Sequence, residues 1–296
     1  MLSYLGLSNY LITILLVNLA IGAALLVSVR IFVGLATNVN SIEELAERDN
    51  PAFGITLAGT LLGVGIIGTG VISGDPAATI GHEVMILLAY GAAGLAAIMV
   101  SRQIFDRISM PDLDVHEELR QGKVAVALTD AGNALATALI VRSVINWVMG
   151  DDLTVAVIAF FGFLVSQMVS SIVTYYRISA YNQAHDDSFQ KALQDGNTAL
   201  ALRFGGFQIG AALAITSALN LVPYDPAAPV HVLLYWLGLC AVLLILLFAL
   251  GWLAGRLVLG SVDMRHEVDK ERNVAIAVIQ AAILVAIGFA LSAATA

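Results

Sequence analysis

Residues Glu44–Gly70 read ELAERDNPAFGITLAGTLLGVGIIGTG. The first six residues are a charged linker. From Asn50 the segment turns apolar and glycine-rich and carries no charge as far as Gly70. A helix crosses a bilayer with roughly 20 predominantly apolar residues, and this run supplies that length. The stretch therefore marks the point where a charged linker hands over to a membrane span.

Composition gives the same reading for the whole chain. Of 296 residues, 59% are hydrophobic and 12% charged, about half the roughly 25% charge of a soluble domain. So little charge cannot cover a globular surface, so lipid covers much of this one. The net charge of -8, with no basic patch carrying interleaved aromatics, excludes a nucleic-acid partner. The single cysteine, Cys240, lies in an apolar run. It allows no internal disulfide and no cysteine-based metal site, and reads as a small buried hydrophobe.

Eight segments have spanning character: Leu11–Ala36, Pro51–Ser73, Val84–Val100, Val124–Met149, Leu153–Tyr176, Thr198–Val222, Val230–Val258 and Val274–Ala296. The first lacks a basic preceding region and exceeds the length of a signal-peptide core, so it is expected to be a retained span. Short turns containing Gly74-Asp75-Pro76, Gly150-Asp151-Asp152 and Pro223-Tyr224-Asp225-Pro226 join spans two to three, four to five and six to seven. Longer charged linkers make the other four connections. The linkers and adjoining span ends hold Arg48, Arg102, Arg107, Arg120, Lys123, Arg177, Lys191, Arg256, Arg265, Lys270 and Arg272, and the short turns hold no basic residue. The positive-inside rule then places the linkers in the cytoplasm and both termini outside, as expected of a bacterial inner-membrane protein.

The handover at Asn50 recurs. RDNPAFGITLAG from Arg48 aligns with RQGKVAVALTDAG from Arg120, QDGNTALALRFGG from Gln194 and KERNVAIAVIQAA from Lys270. The anchors Asn50, Lys123, Asn197 and Asn273 are spaced by 73, 74 and 76 residues (123−50, 197−123, 273−197). A fixed period of this kind marks internal repetition. Arg30 and Arg177 each precede an anchor by 20 residues, and His116-Glu117 and His266-Glu267 each begin seven before theirs. Units one and three, and units two and four, thus resemble each other. The expected fold is all-α and polytopic, eight transmembrane helices in four parallel two-helix repeats. The units are 1–75, 76–149, 150–225 and 226–296, and the four-span halves are 1–149 and 150–296. A pseudo-fourfold or pseudo-twofold bundle around a central path is the arrangement such repeats favour.

Asp49-Asn50, Ala52 and Ala58-Gly59-Thr60-Leu61-Leu62-Gly63, with Asn197-Thr198-Ala199 and Asn273-Val274-Ala275 repeating the start, resemble the bacterial inner-membrane family filed as domain of unknown function 350. Typical members are similar to one half of this chain, so the resemblance covers nearly all of it, twice. It implies a multi-pass membrane protein and no particular activity. Lys123 departs from the pattern at the Asn position.

An Asn at the head of a span caps it, and Glu47 and Asp49 favour the positive end of the helix dipole. Four anchors converging at a bundle mouth are the functional alternative. Gly59/Gly63, Gly206/Gly210 and Gly251/Gly255 are each GxxxG, spacing that lets helices approach closely. Four charges fall inside apolar runs: Arg30, Asp130, Arg142 and Arg203. Arg30 and Arg142 lie near span ends, where long side chains reach the interface. Asp130 and Arg203 lie seven and six residues past their anchors, roughly 10 Å into the helix at 1.5 Å per residue. A lone charge at a helix centre costs about 3 kcal/mol. The two are therefore expected to pair, or to share a hydrated cavity with Asn133, Gln208 and Gln280.

The His-Glu pairs match no metal-ligand spacing and read as solvated linker residues, so no metal or other cofactor is expected. No catalytic triad order, phosphate loop or dinucleotide fingerprint occurs, and the linkers are too short for a catalytic domain. A non-enzymatic protein is expected: a small-solute or ion permease, or channel-like, with a polar path between repeats. The alternative is a scaffold or envelope-stress protein that recruits a cytoplasmic protein through its linkers. The partners this allows are the lipid bilayer, further copies of the chain, or that cytoplasmic protein.

Overall fold

The computed structural model of the chain describes residues 9–37, 39–73, 77–148, 153–225 and 227–296, and among them every regular element is helical. In order they are α1 (Asn9–Thr37), α2 (Pro51–Ile72), α3 (Ile80–Ile104), α4 (Val115–Arg120), α5 (Val124–Trp147), α6 (Leu153–Ala184), α7 (Phe189–Gln194), α8 (Thr198–Leu221), α9 (Pro229–Leu259) and α10 (Val274–Thr295). Three five-residue π-helical turns, Glu43–Glu47, Phe105–Ser109 and His266–Lys270, accompany them. All except α4 and α7 are long and apolar enough to cross a membrane; the chain is a multi-pass membrane protein. Gly74-Asp75-Pro76, Gly150-Asp151-Asp152 and Pro226, expected in the short turns, and Met149, expected to end the fourth span, lie outside the described residues.

Two spans are longer than their apolar runs. α3 begins at Ile80 and passes through Arg102, and α6 continues beyond Tyr176 through Arg177 to Ala184. A run read by hydropathy stops at the first charge. The backbone does not stop there, because Ser101–Ile104 and Arg177–Ala184 contain no Pro or Gly and both arginines find partners within the fold.

α2, α5, α8 and α10 begin in the same way. A short helical segment ends three residues before each anchor, at Glu47, Arg120, Gln194 and Lys270. The residue just before the anchor is then left-handed: Asp49 (φ 46°), Gly122 (77°), Gly196 (79°) and Arg272 (53°). Glycine adopts this conformation freely, whereas an Arg there costs on the order of 1 kcal/mol. The anchors have ψ between 83° and 103° and serve as N-caps. Asn50 Oδ1 accepts from the Ala52 and Phe53 N–H, Asn197 Oδ1 from Leu200, and Asn273 Oδ1 from Ala275 and Ile276. Lys123 makes no such bond, having no acceptor to offer.

These four helices pack as a row, α2 on α5, α5 on α8, and α8 on α10. Small residues set the spacing. A Cβ added at Gly59 would lie 2.6 Å from Ala131 Cβ, one at Gly132 2.8 Å from Gly205 Cα, and one at Gly206 would overlap Ala281 Cα. Further along, Gly63 faces Ala134 and Ala138, Gly70 faces Arg142, and Gly210 faces Leu284. The contacts advance in step from the helix starts, so the helices run in the same direction. α3 packs on α2 and α5, α6 on α5 and α8, α9 on α8 and α10, and α1 on α2 and α3. α5 and α8 are thereby enclosed, while α2 and α10 end the row.

The expected ring around a central path is replaced by this open row. Backbone contact through Gly132 and Gly205 leaves no passage between α5 and α8 at that level. At the end carrying the linkers, Phe105, Tyr181, Phe189, Phe204, Phe207 and Phe248 form a continuous aromatic core.

Candidate functional site

Two polar groups are buried in the linker-side half. In the first, Asp130 on the second turn of α5 faces α3. Arg102 donates from Nε to Asp130 Oδ1 at 2.7 Å and from Nη2 to Oδ2 at 2.9 Å. Nη2 also donates to Thr60 Oγ1 at 2.7 Å. This two-pronged geometry is the strongest form of an arginine–carboxylate pair. The Arg102 and Asp130 side chains are 12% and 6% exposed. One turn further along α5, Asn133 Nδ2 donates to Ser101 Oγ at 3.3 Å, Thr137 Oγ1 lies 2.6 Å from the same oxygen, and Gln167 Nε2 donates to it at 2.8 Å. α3, α5 and α6 are tied through that hydroxyl. A cavity of about 130 Å³ opens beside the pair, lined by Thr37, Arg102, Asp106, His116 and Asp130 among others.

In the second group, Arg203 of α8 is bonded to Asp269 of the His266–Lys270 turn. His185 Nε2 lies 3.3 Å from the other Asp269 oxygen. The His185 ring is stacked on Tyr181 at 4.1 Å, with Nδ1 2.9 Å from the Tyr181 carbonyl oxygen. Alongside runs a cleft of about 550 Å³ between α6, α8, α9 and α10, lined by Arg177, Arg203, Phe207, Trp252, Arg265 and Gln280 among others. The Arg177 guanidinium sits over the Phe207 ring at 5.5 Å, an attraction between cation and ring face. Among the described residues no carboxylate lies within ion-pair distance of Arg177 or Arg265. Gln280 Oε1 is buried without a hydrogen-bond partner.

Asp130 and Arg203 therefore do not pair with each other; each was already matched to a nearer opposite charge. The expected belt is divided. Asn133 stands with Asp130, and Gln280 with Arg203. Gln208 sits at the α5–α8 contact, its Oε1 2.7 Å from where a Gly132 Cβ would stand and without a partner. Of the end charges, Arg30 is exposed and Arg142 donates from Nε to Thr69 Oγ1 at 2.9 Å.

Three of the anchors join neighbouring units, and Asn273 holds its own linker. Asn50 Nδ2 donates to Glu44 Oε2 at 2.7 Å and to Leu119 O at 2.9 Å. Lys123 Nζ donates to Gln194 O at 2.9 Å, Asn197 Nδ2 to Val268 O at 3.3 Å, and Asn273 Nδ2 to Glu267 Oε2 at 2.8 Å. His266 Nε2 lies 3.4 Å from Glu271 on the surface, and His116 lines the cavity beside Asp130.

Sequence reasoning passed over Arg102, Asp269, His185, Ser101 and Gln167. Arg102 had a signal: it precedes Lys123 by 21 residues (123−102), close to the 20 of Arg30 and Arg177. Asp269 and His185 follow no period.

The family model described as Domain of Unknown Function (DUF350) matches residues 4–145, 78–184 and 148–295. The three overlapping segments cover nearly all of the chain, as a domain present in repeats does. No curated protein and no solved structure matches it.

Proposed function

The chain belongs to the Domain of Unknown Function (DUF350) family, and on that premise we propose that it is a permease, or a channel-like protein, for a small anion. Its polar path runs along the flank of the helix row, through the cleft of α6, α8, α9 and α10. One observation carries this reading: Arg177, Arg203 and Arg265 line a single cleft, and among the described residues one carboxylate, Asp269, is paired with them, at Arg203. Arg177 and Arg203 lie on helices long and apolar enough to span a membrane, where ionisable groups are expensive and mark ion or substrate pathways, and Arg265 joins them from the adjoining linker. Guanidinium forks match the oxygens of carboxylates and phosphates. Arg102 and Asp130 neutralise each other and act as a structural clasp, with Asn133 and Gln208 supporting the row beside them. Eleven of the fourteen basic residues lie in the linkers or the span ends beside them, which supports a bacterial inner membrane with linkers in the cytoplasm and both termini outside. Such a protein moves solute without bond chemistry and needs no cofactor.

The test is flux of chloride, phosphate and sulfate in proteoliposomes. Arg177→Gln is the clean variant, because among the described residues no carboxylate lies within ion-pair distance of Arg177. Removing one charge-assisted contact is worth about 1.5–3 kcal/mol, so flux should fall by roughly tenfold or more. Absence of flux in the wild type, or equal flux in R177Q, overturns the reading. A second reading, a scaffold recruiting a protein through the linkers, draws support from the exposed charges of Arg48, Glu117 and Arg120. It predicts no flux, and a co-purifying protein lost when those charges are reversed.

A further inference from the structure

The row α2–α5–α8–α10 is built from one contact used three times. The glycine nine residues past an anchor (Gly59, Gly132, Gly206) presses on the small residue eight past the next anchor (Ala131, Gly205, Ala281). Thirteen past the anchor, Gly63 stands against Ala138 and Gly210 against Leu284, fifteen and eleven residues past the next anchor. At the far end of the row, the positions nine, thirteen and twenty past Asn273 are Ala282, Ala286 and Ala293, and all three are exposed. At the near end, the positions eight and fifteen past Asn50 are Ala58 and Gly65, also exposed, with nothing within 4 Å of a Cβ added at Gly65. The last helix thus carries an unused donor face, and the first carries the receiving face that would match it.

The linkers give an independent sign of the same continuation. Asn50, Lys123 and Asn197 each donate to a backbone carbonyl three to five residues before the next anchor: Leu119, Gln194 and Val268. Asn50 divides its amide between its own Glu44 and that carbonyl. Asn273 makes the first bond, to Glu267, and among the described residues its second amide hydrogen has no acceptor. The corresponding acceptors, three to five residues before Asn50, belong to residues 45–47.

We propose that α10 of one copy packs against α2 of a second copy, head to tail, continuing the internal row, with Ala282 on Ala58 and the Asn273 amide on the carbonyl edge of residues 45–47. The partner is a second copy because the surface continues an interface the chain already makes with itself. Such a contact is heterologous: the two faces differ, so like faces do not meet. Close helix approach through small residues is the usual source of association in lipid, where burial of apolar area offers little.

Two singly substituted chains, Ala58→Cys and Ala282→Cys, both in a Cys240→Ala background, are co-expressed with different tags and oxidised in native membranes. Disulfide formation requires Cα atoms about 4.4–6.8 Å apart. The mixed pair should form a covalent dimer, and each variant alone should remain a monomer. No mixed dimer, or an A58C–A58C dimer of equal yield, overturns the proposal. As a second measurement, Ala282→Trp and Ala58→Trp, both at exposed positions that leave the fold intact, should each convert the wild-type assembly to monomers in native mass spectrometry. A wild type that is already monomeric, or an assembly indifferent to both substitutions, contradicts it.

Discussion

Arg102 of α3 holds both carboxylate oxygens of Asp130 on α5, at 2.7 and 2.9 Å, across 28 residues of sequence and with both side chains nearly out of contact with solvent. Removing one member of such a pair leaves the other as a buried, uncompensated charge, at about 3–5 kcal/mol. Asp130→Asn and Arg102→Met should each lower stability by that order in thermal unfolding of the micelle-solubilised protein. The double variant R102M/D130N should recover most of the loss, since neither charge then remains. An additive double variant would show that the pair is not coupled.

The caps should differ in strength according to what else they hold. Asn50→Ala removes a cap, worth about 1 kcal/mol, together with bonds to Glu44 and Leu119. Asn273→Ala removes a cap and the bond to Glu267 alone. Helix unfolding followed by circular dichroism should rank Asn50→Ala as the more damaging, with the isolated protein kept dilute so that copies do not associate.

The spans and the anchors were legible in the sequence because both are local: a run of about 20 apolar residues, and an Asn whose side chain reaches backbone N–H groups two or three residues on. The left-handed residue before each anchor was not read from the sequence: Gly122 and Gly196 are types that favour it, whereas Asp49 and Arg272 do not announce it. The pairing of the buried charges was not legible. Asp130 and Arg203 stood out as the only charges well inside apolar runs, whereas their partners, Arg102 and Asp269, lay at a span end and in a linker where charge is ordinary. Depth along a helix could be counted from the sequence, but which face each charge presents depends on how the row stacks.

Row packing predicts a split among the glycines. A Cβ at Gly206 would overlap Ala281 Cα, and backbone on a neighbouring helix cannot yield as a side chain does. Gly206→Ala should therefore cost more than the 1–3 kcal/mol typical of overpacking, read as a fall in melting temperature. Gly22→Ala and Gly68→Ala have nothing within 4 Å. They should be neutral or gain up to about 1 kcal/mol from helix propensity. A destabilised G68A beside a stable G206A would contradict the packing of the row.

Calorimetric titration of inorganic phosphate into the protein in neutral-lipid nanodiscs tests the anion cleft most directly. The account predicts saturable binding at one site, weakening as added salt screens the guanidinium groups and weakened by about tenfold or more in R177Q, as expected for the loss of one charged hydrogen bond. No saturable binding, or binding unchanged in R177Q, would contradict it.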